Sequence, residues 1–561
     1  MPFAAKDFAV AEGAANVPLY AALAHGLIGH GVDTMFGLLG DANMFMVDRF
    51  VHAEQGSYVS AGHEAGAVLM ACGYAHRSGR LGVATVSNGP ALTNTVTALV
   101  EGVHSHKPVV LIVGDTPAVI GPLSPQAIPQ REVALAAGAG FEESAAPYTV
   151  LADLARAIRR AHLERRPIVL SIPNDFQEQP IEYRYVPTGL AGSALAPNSA
   201  ALDAAVSVLA AARRPVVVLG RGVSDDARPA VLRFAERIGA LVATSLGGRG
   251  QLQREPFGIG VFGVTATAVG RDVIGTADCV VAFATRLAPF TTVGGSLLAG
   301  KALIQCDIDA ASIGGTVRPD VGVVGDAGTA ATELVKRLDQ ADIKATDFRS
   351  PTLADQLEQA AQPAAAQINP SPDTPIDIHS ALRRLNAAIS ENRTVVVDGG
   401  RFMQQPWRLL DVNSPQAWVY AIGFGAIGMG MGMAIGAGVA APDNPVAFVC
   451  GDGGFMTSGI TEFNTAVRHN VDLITIVCND GAYGAEYQHL RHAGLDPVVS
   501  TFAWPELAAI AESLGGRGVT VRTIADLDVA ERAIRERDRP LLIDIKLNPD
   551  ELPDVGAGAG A

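Results

Sequence analysis

The segment CGDGGFMTSGITEFNTAVRHNVDLITIVCNDGAYGAEY, residues 450–487, carries the residue types best suited to hold a metal ion. It reads as a strand end, a glycine-rich turn, a helix, a second strand and a second turn. A right-handed crossover between parallel strands brings both strand C-termini to one edge of a sheet. Asp452 and Asn479 then come close together despite their separation in the chain. A carboxylate and an amide oxygen are hard ligands for magnesium, which keeps phosphate oxygens among its other ligands. Gly451, Gly453 and Gly454 leave room for a phosphate at a helix N-terminus. Alone, Gly-Asp-Gly is an ordinary turn; the strand–helix–strand setting with Asn-Asp-Gly after it singles this one out.

A second candidate lies near the start. GHEAGAVLMACGYAHRSG (62–79) places Glu64 at the entrance to an apolar helix that holds no other acid. Such a residue either answers the helix dipole or serves as a buried carboxyl able to share a proton. His63, His104 and His106 are nearby, each as suited to a structural as to a catalytic role.

The elements that must position these residues are short Val/Ile-rich runs alternating with longer helical patterns. They include PVVLIVGD (108–115), RPIVLSIPND (166–175), RPVVVLGRG (214–222), CVVAFATR (279–286), PVAFVCGD (445–452), LITIVCND (473–480) and RPLLIDIK (539–546). Runs of this kind fit strands buried on both faces, and the alternation with helices predicts parallel sheets. The class is α/β. Irregular stretches at Tyr183–Asn198 and Ala345–Thr374, the second rich in Pro and Ala/Gln, predict domains over 1–183, 199–340 and 375–550. The end, residues 551–561 with VGAGAGA, is expected to be a disordered tail.

Taken together the segments resemble the thiamine diphosphate-dependent enzyme family, its acetolactate synthase-like and 2-oxo acid decarboxylase-like members. The resemblance spans nearly the whole chain. It implies three doubly wound parallel-sheet domains in the order pyrimidine-binding, central and diphosphate-binding. It also implies that Asp452, Asn479 and the Gly481 carbonyl coordinate Mg2+, with Gly451, Gly453, Gly454, Ala482 and Tyr483 around the cofactor. GFGAIGMGMGMAIGAG (423–438) resembles the segment that touches the aminopyrimidine, with Gly425 binding the cofactor and the bulky Ile427 propping it. Glu64 matches the family glutamate that hydrogen-bonds the pyrimidine ring nitrogen. VSNGPALTN (86–94) and KPVVLIVGD (107–115) resemble further family segments, with Asn88 and Ala91 in place of two glycines. Because the family's cofactor bridges two subunits, the resemblance implies a homodimer or homotetramer with the active site at the dimer interface.

The reaction is less marked. FGLLGDANMF (36–45) resembles a decarboxylase segment and places Asp41 where those enzymes keep a catalytic Asp, with Leu39 replacing their proline. Glu486 lies one position from a decarboxylase catalytic Glu. The decarboxylases' paired-His motif is absent from PLSPQAIPQREVA (122–134). Asp41, Glu486 and His63 are the expected proton-transfer residues. Met44, Phe45, Gln126, Gln130, Tyr483 and Tyr487 are expected to line the pocket. The expected activity is 2-oxo acid decarboxylation or carboligation, acetolactate synthase-like, with a 2-hydroxy carbonyl lyase as the alternative. The middle segments 277–295 and 306–326 resemble the flavin-containing domain of acetolactate synthases. However, Arg286-Leu-Ala-Pro-Phe has lost the charged residues found there, so FAD, an ADP moiety or nothing is expected.

Other classes are disfavoured. Gly423, Gly425 and Gly428 match the spacing of a nicotinamide dehydrogenase, but that reading leaves Asn479 and residues 62–115 unexplained. A non-catalytic family member would not need Glu64, Asp452 and Asn479 together. The 561 residues carry a formal net charge of -15 with no basic block, which argues against nucleic acid. Residues Trp418–Pro442 carry no charge, yet seven glycines there favour a loop then a helix over a membrane span. The five cysteines are widely spaced and read as buried thiols in a reducing compartment. MPFAAKDFAV lacks the basic-then-apolar pattern of a signal peptide, so a cytoplasmic location is expected.

Overall fold

Every apolar run singled out above becomes a strand of a six-stranded sheet, because a strand covered on both faces can carry Val, Ile or Leu at each position. The computed structural model describes residues 16–117, 123–190, 194–253, 255–361 and 371–551. The expected tail beyond residue 551 and the segment MPFAAKDFAV lie outside the described residues.

In the N-terminal sheet the spatial order is Ser57–Ser60, Thr34–Gly37, Gly82–Val86, Val109–Asp115, Ile168–Pro173, Gly140–Glu143, with parallel pairings throughout. The middle sheet runs Gly258–Val261, Leu241–Thr244, Pro215–Leu219, Cys279–Phe283, Ala302–Asp307, Val321–Val324, again parallel. The C-terminal sheet runs Trp418–Ala421, Thr394–Asp398, Val446–Gly451, Leu473–Asn479, Leu541–Lys546, Arg517–Val521. Its pairings from Thr394–Asp398 to Arg517–Val521 are parallel. Counting strands from the first in each sheet, the two outer sheets share the order 2-1-3-4-6-5, whereas the middle one follows 3-2-1-4-5-6. The middle sheet is covered on both faces: Val216 and Val218 enter one core and Val217 and Leu219 the other.

The chain forms two compact units. One comprises residues 1–190, 421–442 and 454–471, with the N-terminal sheet as its centre. The other comprises residues 191–420, 443–453 and 472–561, with the middle and C-terminal sheets. In the first unit, helix Glu64–Ser78 packs backbone against backbone on helix Gly430–Ala440. A Cβ at Gly436 would lie 1.8 Å from the Met70 carbonyl oxygen, and one at Gly73 would lie 2.1 Å from that of Met433. Gly432 and Gly436 of the uncharged stretch therefore serve helix packing. Among the described residues no helix is long and apolar enough to cross a membrane. All five cysteines are free and buried.

One expectation fails in detail. The stretch read as a second linker contains a helix, Pro351–Ala361, whose Leu357 enters the core of the middle domain. Proline is tolerated in a first helical turn, so Pro351 starts this helix rather than marking a break.

Candidate functional site

Strands Val446–Gly451 and Leu473–Asn479 are parallel neighbours, with Gly451 paired to Cys478. The next residue on each, Asp452 and Asn479, therefore lie side by side at the C-terminal edge. Asp452 opens a helix directly from the strand, in a run that passes through one π-type turn at Phe455–Gly459 and continues as Ile460–Arg468. Turns of that type are frequent at functional sites.

Both side chains are almost fully buried and both are held by neighbours. Asp452 Oδ2 accepts the Trp504 Nε1–H at 2.7 Å. Asn479 Nδ2 donates to Asp544 Oδ1 at 2.8 Å, which fixes the amide so that its oxygen points the other way. That oxygen accepts the Gly481 N–H at 3.2 Å. Burial, followed by the nearby Asp480 carboxylate, pushes the Asp452 carboxyl up to about 7. Asp480 is itself paired with Arg401 at 2.7 Å, and no ion pair to Asp452 is found among the described residues. A buried carboxylate beside an oriented amide oxygen suits a hard divalent ion. The Gly481 carbonyl accepts the Phe502 N–H at 2.7 Å, so one of its two lone pairs is taken. Gly481 has a φ of +67°, as the turn after the strand requires. Among the described residues there is no cluster of three or more His, Cys, Asp or Glu fit for a metal; a magnesium site here relies on amide, carbonyl and phosphate oxygens.

Tyr483, partly exposed, meets Phe502 edge-on at 4.7 Å, and Phe502 stacks on Trp504 at 4.5 Å. Ala482 is buried and bridges to Thr501. Glu486 lies exposed in the first turn of helix Gly484–His492, and Tyr487 is buried with its hydroxyl on Asp550.

In the other unit Glu64 is the first residue of helix Glu64–Ser78. Its side chain is 13% exposed, and its Oε2 accepts the Asn94 Nδ2–H at 3.0 Å. His63 caps the helix, its Nδ1 accepting the Ala65 N–H at 3.1 Å. That bond puts the hydrogen of the neutral ring on Nε2, 3.8 Å from Glu64 Oε2, as the nitrogen able to donate a proton. Asp41 is exposed and accepts from the Ser87 hydroxyl at 3.3 Å. Gly425 is exposed with a φ of +81°, and Ile427 is half-buried in the turn before helix Gly430–Ala440. Gly454 is buried, its carbonyl oxygen 3.3 Å from where a Cβ on Gly428 would stand. Gln130 is buried and holds the Gly89 N–H, the Gly114 carbonyl and the Ser171 hydroxyl. It therefore serves the fold rather than lining a pocket.

Sequence reasoning missed Glu462. From helix Ile460–Arg468 its carboxylate accepts the N–H groups of Gly62 at 3.1 Å and His63 at 3.0 Å, fixing the backbone just before Glu64. Gly66 permits this, since a Cβ there would lie 2.0 Å from Glu462 Oε1. No local pattern distinguishes Glu462 from a solvated helix charge.

Comparison with known proteins agrees along the chain. Family profiles for thiamine pyrophosphate enzymes match their N-terminal TPP-binding domain to residues 18–133, their central domain to 202–334 and their C-terminal TPP-binding domain to 398–545. The chain is 30% identical over 559 residues to a sulfoacetaldehyde acetyltransferase of Castellaniella defragrans, covering 93% of this chain and 91% of that one. It is 25% identical over 541 residues to a probable acetolactate synthase large subunit of Methanococcus aeolicus, covering 92% and 90%. It is 27% identical over 552 residues to an acetolactate synthase of Mycobacterium bovis, covering 94% and 88%.

Proposed function

Because the chain belongs to the thiamine pyrophosphate enzyme family, we propose that it makes or breaks a carbon–carbon bond next to a carbonyl, acting on a 2-oxo acid or 2-hydroxy carbonyl compound. The observation that carries this reading is the side-by-side placement of Asp452 and Asn479 in a buried setting, with no cation paired to the carboxylate among the described residues. Thiamine diphosphate, when bound, would supply a carbon nucleophile and an electron sink for chemistry next to a carbonyl. Asp452, Asn479 and the second lone pair of the Gly481 carbonyl would hold Mg2+ against the diphosphate, with Gly451, Gly453 and Gly454 giving it room. Glu64, oriented by Asn94, would hold a proton at the pyrimidine ring nitrogen. Ile427 would prop the ring system, and Gly425, Ala482 and Tyr483 would border it. Asp41, Glu486 and His63 Nε2 are the groups assigned to move protons at the substrate.

In this reading Glu64 and the Asp452–Asn479 pair that complete one site come from two subunits of a homodimer or homotetramer, in the cytoplasm. Its three domains span 1–183, 199–340 and 375–550. Light scattering that found an active monomer at assay concentration would overturn the assembly. In the middle domain, Gly220 packs on the Ala284 carbonyl and Leu287 is fully buried in the core. The chain's own packing accounts for both. The decisive experiment is a panel of 2-oxo acids and 2-hydroxy ketones with Mg2+ and thiamine diphosphate. Ligated product supports the carboligase, free aldehyde the decarboxylase or lyase, and no turnover on any member refutes the reading.

A further inference from the structure

At the C-terminal strand ends, both terminal atoms of Asn479 and the Oδ2 of Asp452 already have hydrogen-bond partners. Asn479 Nδ2 faces the buried Asp544 carboxylate, which is itself held by Lys546 Nζ at 2.8 Å. Asp452 Oδ2 faces the Trp504 indole N–H, a group that can only donate. The indole is held in place. Its ring stacks on Phe502 with planes 15° apart, and Phe502 is tied through its backbone N–H to Gly481 in the turn after Asn479. Ser500 accepts the Tyr483 N–H at 2.9 Å, so the whole 500–504 segment is fastened beside the 481–483 turn.

An oxygen that accepts a 2.7 Å hydrogen bond from a fixed ring is poorly placed to share a cation with its partner oxygen. We propose that Trp504 is a positioning residue that makes Asp452 a one-oxygen ligand, biasing the site toward Mg2+ and away from Ca2+. Magnesium demands near-octahedral geometry with single-oxygen ligands. Calcium tolerates six to eight ligands and often takes both oxygens of a carboxylate. Groups that orient a metal ligand typically change metal affinity by about 10–100-fold when removed.

This inference rests on the reading of Asp452 as a metal ligand, and the test separates the two. Uptake of thiamine diphosphate by the full-length apo protein is measured by calorimetry over a range of Mg2+ or Ca2+ concentrations, for the parent and Trp504→Phe. If the parent takes up no cofactor with either ion, the metal-ligand reading itself fails. If it does, the inference expects the Mg2+ needed for half-maximal uptake to rise by about tenfold or more in Trp504→Phe, with the Ca2+ requirement changing less than about threefold. Equal changes for both ions, or no change for either, overturn it. Tryptophan emission gives an independent reading. Trp407 and Trp418 are fully buried and common to both proteins, so the emission change on adding Mg2+ and cofactor should be present in the parent and absent in the variant. A change of equal size in both overturns the inference. Should Trp504→Phe fail to fold, Trp504→His keeps a ring N–H and must retain the Mg2+ preference; loss of that preference in a folded Trp504→His also overturns it.

Discussion

The Glu101 carboxylate accepts the Phe424 N–H at 2.7 Å. One turn on in the same helix, Val96–His104, His104 Nδ1 donates to the Gly423 carbonyl at 2.9 Å and its ring meets Phe424 edge-on at 5.7 Å. One helix thus grips both sides of a single peptide, just ahead of Gly425 and Ile427. Gly423 allows the approach, since a Cβ there would lie 2.9 Å from Glu101 Oε1.

The grip has a pH signature. Burial pushes the Glu101 carboxyl above the ordinary 4.5, against the N–H groups of Phe424 and Gly423 and the charges of Lys107 and His104. An acid whose folded pKa is raised holds its proton longer when folded. Its contribution to stability is therefore complete at low pH and lost as pH rises through the folded value. Glu101→Gln carries no such proton. Its stability relative to the parent should increase as the pH is raised above the ordinary 4.5. Thermal melts of the two apo proteins at rising pH check this, and a pH-independent difference would contradict it.

Glu64→Gln should slow turnover by about a hundredfold or more, the order expected when a proton-handling group is lost. Calorimetry should still find cofactor uptake, because Asp452 and Asn479 are untouched. Parent-like turnover in the variant would remove Glu64 from the mechanism.

Asp41→Ala and Glu486→Ala should each slow turnover by about a hundredfold under saturating substrate. Both side chains are exposed and carry no core packing, so folding should be spared. Unchanged kcat and KM in either variant would strike that residue from the proposed chemistry.

Gly436→Ala should cost about 1–3 kcal/mol or more in urea unfolding, since its Cβ would stand 1.8 Å from the Met70 carbonyl oxygen. The helices must separate to admit it. An unfolding midpoint equal to the parent's would mean that the contact is not this close.

The parts of this architecture readable from residue patterns are those governed by local rules. Val446–Gly451 and Leu473–Asn479 are apolar throughout because both faces are covered, and the crossover rule then places Asp452 beside Asn479, as the Gly451–Cys478 pairing bears out. Glu462, Glu101 and Trp504 escaped because each acts on a backbone or carboxylate far away in the chain, and no period or spacing encodes such a bond. Helix Pro351–Ala361 escaped for a different reason: proline and small residues suit both a linker and a first helical turn, and only the burial of Leu357 decides between them.

The Gly73–Met433 and Gly436–Met70 contacts also constrain how the molecule can come into being. On the ribosome, the helix that begins at Glu64 emerges long before its counterpart at 430–440 has been translated, so its glycine-lined side waits bare while more than half the polypeptide is made. Domains usually complete themselves in order of synthesis. Here the first one is finished by a piece delivered late, which makes truncation after the middle domain a recipe for a sticky, chaperone-dependent fragment rather than a shorter working protein.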